Sequence, residues 1–277
     1  GGRVDALTNG GTLTTQGALS AGALTNNELM NVNSGSTLTM DDGARLLNND
    51  RLVMAGGTIA GAVTNAASGA FSGTGTVNGT LTNAGTVTVD DRLTIDRVVN
   101  NNNVTITGQG TLISGQAVQN NALLTVAGRL QGDLANSGTA ALNGGTITGD
   151  VANAGALTGT GTIDGTLRNS NIASIGGTVT NLVNLSGGHL TTDGDLAATS
   201  FTNSSTNATA AVATISEGTT LTVANIAENG TGGELEVAGT LAGALNNAGT
   251  LTGGGAILGA VNNTGIARFS GRIGGDL

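Results

Sequence analysis

Hydrophobic and polar residues alternate along this chain in short bursts. Thr-Leu-Thr at 12–14, Thr-Val-Thr-Val at 86–89 and Val-Thr-Ile-Thr at 104–107 each place an aliphatic residue at every second position. That is the period of a strand with one face buried and one in water. Each burst runs a few residues before Gly or Asn-Gly interrupts it, and both are turn formers because they tolerate positive φ. Helical periodicity is absent, and so are the Ala/Glu/Lys/Leu-rich windows that would favour helices. The pattern predicts an all-β chain of short strands and tight turns.

The bursts recur in a fixed frame. Residues 75–88, 145–158 and 239–252 all fit G-x-(aliphatic)-x-G-x-(aliphatic)-x-N-x-G-x-(aliphatic)-x. The Asn serves as a marker, placed at Asn9, Asn26, Asn48, Asn65, Asn83, Asn100, Asn120 and Asn136. It continues at Asn153, Asn169, Asn184 (with Asn181 competing), Asn203, Asn225, Asn246 and Asn262. Spacings of this order are those of solenoid units. One strand-turn unit cannot bury its aliphatic face alone, but stacked units can, and the ladder bonds then run between successive coils. With about three inward aliphatics per coil, each worth roughly 1.5–3 kcal/mol, the core needs no aromatic rings. The Asn copies, stacked in register, can bond to one another and to turn backbone. Asn65, Asn83, Asn136, Asn153, Asn246 and Asn262 are therefore expected to form a structural ladder.

Composition agrees with this frame. Of 277 residues 49 are Gly, none is Pro, Trp, Tyr or Cys, and three are Phe. The mean hydropathy of +0.14 argues against disorder, which needs low hydrophobicity and high net charge. The net charge is −9 and every basic residue is Arg, a poor match for nucleic acid or anionic lipid, both of which call for clustered cations. Without Cys there are no disulfides and no thiolate metal sites. No apolar run approaches the length of a bilayer span.

The repeat G-x-(L/V/I)-x-G-x-(L/V)-x-N-x-G-x-(L/V) resembles that of bacterial autotransporter passengers and filamentous-haemagglutinin-like adhesins over most of the chain. The resemblance implies a single-stranded right-handed parallel β-helix, a β-solenoid of about fifteen coils running as one domain from 1 to 277. It also implies an extracellular position on the bacterial surface and a role in attachment, aggregation or biofilm formation. The partners would be host-cell or abiotic surfaces, glycans, or like molecules on neighbouring cells, with lateral self-association open and no membrane insertion by this segment. No signal-peptide pattern opens the chain, and residues 271–277 resemble residues 128–134 before stopping within a unit. The chain thus reads as a fragment of a longer protein.

Chemistry is sparse in the sequence. His189 is the single His, beside Asp193 and Asp195, and no nucleophile motif accompanies it. Asp41-Asp42 near Arg45 and Asp90-Asp91 before Arg92 read as acidic turns balanced by Arg. No calcium-loop motif is present, so neither catalysis nor a cofactor is expected. Thr-x-Thr triplets at 12–14, 37–39, 86–88, 105–107, 178–180 and 250–252 raise an alternative, ice binding, which needs them on one face of nearly every coil. A carbohydrate-active β-helix enzyme is a weaker alternative, because basic and aromatic groove residues are missing. Residues 202–209 and 227–233 lengthen their coils. Insertions in repeats map to loops and often to binding faces, so Asn203, Ser204, Ser205, Thr206, Asn207 and Thr209 are the candidate receptor-contact residues.

Overall fold

A computed structural model describes residues 2–276; Gly1 and Leu277, where the reading of a truncated repeat ends, lie outside the described residues. The described residues contain strands and turns and no helix. The chain divides into two compact units, Gly1–Asp133 and Leu134–Leu277. Each is a right-handed parallel β-helix in which every strand pairs with its counterpart one coil away.

A coil has three faces. The coil after Asn100 shows them in turn as the strands Asn103–Ile106, Thr111–Ser114 and Val118–Asn120. The second-face strand follows the Asn turn, the third-face strand comes next, and the first-face strand closes the coil on the following Asn. Where the corner between the third and first faces is tight, both merge into one strand, as in Arg92–Asn100. Every face alternates inward and outward residues. In Thr86–Val89, Val87 and Val89 are buried while Thr86 and Thr88 are not.

Register carries like residues over like. On the second face of the first unit Met30, Leu52, Phe71, Val87, Val104 and Leu124 stack in one inward column. In the second unit Leu182, Phe201 and Ala227 form part of a first-face column, so the largest side chain lies against the smallest. That exchange keeps core volume nearly constant where a uniform column of Leu would overpack. Small residues matter most where coils meet backbone to backbone. At Gly85 a Cβ would run into the carbonyls of Ala66 and Gly69 in the preceding coil. At Gly73, where φ is +105°, it would collide with the carbonyl of Met54.

The recurrent Asn closes the first face. Asn83 is fully buried. Its Nδ2 donates to Asn100 Oδ1 at 2.9 Å, to Asn103 O at 2.9 Å and to Gly85 O at 3.1 Å. Its Oδ1 accepts from Asn65 Nδ2 at 2.8 Å and from the Gly85 N–H at 3.2 Å. The side chain therefore serves its own turn, the next turn and both neighbouring rungs. A buried amide is tolerated only when satisfied in this way. In the first unit the rungs are Asn9, Asn26, Asn48, Asn65, Asn83, Asn100 and Asn120, and the bonds between them pass from the earlier residue to the later one. In the second unit Asn136, Asn153, Asn169, Asn184, Asn203, Asn229, Asn247 and Asn263 repeat the pattern in the same direction.

Three marker positions are corrected. The rungs are Asn247 and Asn263, not Asn246 and Asn262, and Asn229, not Asn225. Parity decides it: Leu245 and Val261 point inward, so the next inward position is two residues on, and Asn246 and Asn262 face outward. Asn225 lies in a widened corner ahead of the inward Ala227.

Candidate functional surface

The coil between Asn203 and Asn229 spans 26 residues, against 15 to 22 between the other bonded rungs. The extra length leaves as a loop over residues 204–210, between the strands His189–Asn203 and Ala211–Ile215. Its backbone is held by its own side chains. Ser205 Oγ donates to Thr209 O at 2.6 Å, the Asn207 N–H donates to Ser205 Oγ at 3.2 Å, and the Thr209 N–H donates to Asn207 Oδ1 at 2.8 Å. Ser186 of the preceding coil supports it through Ser205 Oγ at 2.8 Å and the Thr206 N–H at 3.0 Å. Such hydroxyl and amide turns are what Ser and Asn favour when strand pairing is interrupted.

Thr206, Asn207, Ala208 and Thr209 are exposed, and Ser204 and Ser205 are half-buried. Asn203 departs from the expectation: it is a fully buried ladder rung, bonded to Asn229 at 2.8 Å and to Glu234 O at 3.0 Å. Its amide is committed to the core and cannot meet a receptor. The other expected stretch, 227–233, supplies the next turn, whose Thr231 carbonyl accepts from the Ser205 N–H at 3.1 Å. Between the loop and this turn lies an open groove of about 250 Å³, lined by Asn207, Ala208, Ala210, Gly232, Glu234 and Thr250.

A second hollow, of about 600 Å³, was not foreseen from the sequence. It lies where the corner Ala224, Asn225 and Ile226 bulges above the tighter corner at Gly243 and Ala244. Ile226 is 48 % exposed there, and Leu258, one coil past that tight corner, is 53 % exposed. The only sequence signal is the difference in corner length between successive coils.

The remaining candidates do not converge. His189 is exposed on the second face between Ile172 and Val212. Asp41 takes its ion pair from Arg3, at 2.7 Å, rather than from Arg45. Asp91 accepts from the backbone N–H of Arg92. No group of three or more His, Cys, Asp or Glu among the described residues could hold a metal ion. The Thr-x-Thr triplets are divided between faces. Thr86 and Thr88 stand on the second face, whereas Thr37 and Thr39 pair with third-face strands. Within the second-face columns Thr14 is followed by Asn31 and Val53. Register therefore breaks up the flat Thr array that ice binding would call for. Comparison with protein-family models, curated proteins and solved structures gives no match to this chain.

Proposed function

We propose that this chain is a structural and adhesive segment of a bacterial cell-surface protein, similar in role to the passengers of autotransporters and filamentous-haemagglutinin-like adhesins. The observation that carries the reading is the satisfied Asn ladder. Within each unit successive coils lock through the same amide, so stability accrues coil by coil and asks nothing of the outward residues. Those residues are mostly Thr, Ser, Asn, Ala and Gly, a weakly charged surface suited to many shallow contacts that gain strength through repetition. On this reading the chain performs no chemistry and binds no cofactor. The exposed loop at 204–210, at the corner between the first and second faces, is its contact point for host-cell or abiotic surfaces or for like molecules.

The test displays the chain on the surface of a non-adherent bacterium. Binding to epithelial monolayers and to plastic is measured, together with settling of cell suspensions. Circular dichroism of the purified chain serves as the check on folding. Display of the folded chain is expected to raise at least one of these readouts severalfold. Replacing residues 204–211 by Ala-Gly, the turn used after Asn83, keeps Val212 in register with His189 and is expected to lower it with the β signal unchanged. A folded, displayed chain that changes none of the readouts would refute the proposal.

A further inference from the structure

The chain contains the tripeptide Asn-x-Ser/Thr, with x not Pro, at Asn78, Asn103, Asn184, Asn203, Asn207, Asn229 and Asn262. In a protein outside the cytoplasm this is the acceptor pattern for N-linked sugar. Asn and Thr are abundant here, so the pattern alone says little; the fold does the sorting. Asn184, Asn203 and Asn229 are fully buried rungs whose Nδ2 atoms donate to the next rung. Asn103 lies in the strand Asn103–Ile106 with its Oδ1 buried. Asn78 and Asn262 are exposed, but their backbones lie in the paired strands Ala70–Asn83 and Val261–Asn263. A transferase must draw the acceptor backbone into its own cleft, and for these residues that means breaking a ladder.

Asn207 differs on each count. It is exposed and outside any strand. Its Oδ1 accepts the N–H of Thr209, the third residue of its tripeptide, at 2.8 Å. This turn holds the Asn207 amide against the backbone of Thr209, the residue whose hydroxyl a transferase must also read. Its Nδ2 donates to no acceptor among the described residues.

We infer that Asn207 is an acceptor for N-linked glycosylation by a separate transferase, with a nucleoside-diphosphate hexose as donor. A bond forms between Asn207 Nδ2 and the anomeric carbon of the sugar. The bond from that carbon to the phosphate oxygen breaks, and the nucleoside diphosphate leaves with the electron pair. The proton lost from Nδ2 passes to a base of the transferase. The attached hexose stands over the groove bounded by Glu234 and Thr250, so it changes what this part of the surface presents. The inference rests on the reading of the chain as a protein outside the cytoplasm, but sugar attachment and cell attachment are measured separately, so the failure of one is distinguishable from the failure of the other.

The purified folded chain is incubated with a soluble asparagine glycosyltransferase and UDP-glucose, then examined by intact mass and peptide mapping. The same map is made on chain recovered from the cells that produce it. One hexose per chain is expected on the peptide carrying Asn207, with Asn184, Asn203 and Asn229 bare. Asn207→Gln removes it, Thr209→Ala lowers it at least tenfold, and Thr209→Ser retains it. A folded chain that takes no hexose, hexose confined to another Asn and unaffected by Asn207→Gln, or a bare Asn207 in the chain from its own cells would each overturn the inference.

Discussion

Replacing Asn83 by Ala tests whether the ladder stabilises the fold or merely accompanies it. The side chain is fully buried and makes five hydrogen bonds. Truncation leaves two buried groups poorly served. The Gly85 N–H loses its side-chain acceptor, and Asn100 Oδ1 keeps only the long bond from the Asn102 N–H at 3.3 Å. Asn65 Nδ2 is affected less, because the carbonyls of Gly69 and Thr86 still accept from it. At about 1–3 kcal/mol per unsatisfied buried group the expected loss is about 2–6 kcal/mol. Thr82→Ala, one residue away on the outer side, removes no buried partner and is expected to stay within about 0.5 kcal/mol. Urea unfolding followed by circular dichroism compares the two. Hydrogen exchange at Gly85 and Asn101 then shows whether the loss is local, because the interfaces of a solenoid act between nearest neighbours. If Asn83→Ala costs no more than Thr82→Ala, the stabilising role argued for the ladder is wrong.

Two further outcomes follow from register and from backbone packing. Asn247→Ala should destabilise by an amount comparable to Asn83→Ala, while Asn246→Ala, half-buried and bonded to Glu228 on the outside, should cost less than about 1 kcal/mol in the same urea assay; the reverse order would mean that the register is off by one. Gly73→Ala must place a Cβ against the Met54 carbonyl at positive φ and should cost well over 1 kcal/mol, whereas Gly108→Ala meets no atom within 4 Å and should gain about 0.4–1 kcal/mol; thermal melts that rank them the other way would contradict the packing.

Much of the fold is legible in the sequence because the inward-outward alternation and the turn residues both repeat. Asn65, Asn83, Asn136 and Asn153 occupy buried rungs, since one marker Asn stood in each of those stretches. Where two Asn adjoin, as at 246–247 and 262–263, linear spacing cannot choose between them. Parity relative to the inward Leu245 or Val261 can. The triangular arrangement is harder to see, because coils of 15 to 26 residues lengthen at different corners and carry equivalent Thr pairs to different faces. The candidate loop was visible as excess length, but its first residue was misjudged. Asn203 looks like loop by composition and is core by position, because its amide continues the ladder across the insertion. The hollow beside Ile226 leaves no motif at all, since it arises from one long corner lying next to a short one.

Within each unit the ladder bonds all run from an earlier Asn to the one in the coil that follows. A coil therefore offers the same donor on one side and the same acceptor on the other, whatever the length of its corners. A whole coil can be added or removed within a unit and the ladder amides on the two sides of the junction still match. The number of coils is thus not limited by the ladder itself but by the inward columns, where Phe201 lies against Ala227 and volumes must match from coil to coil.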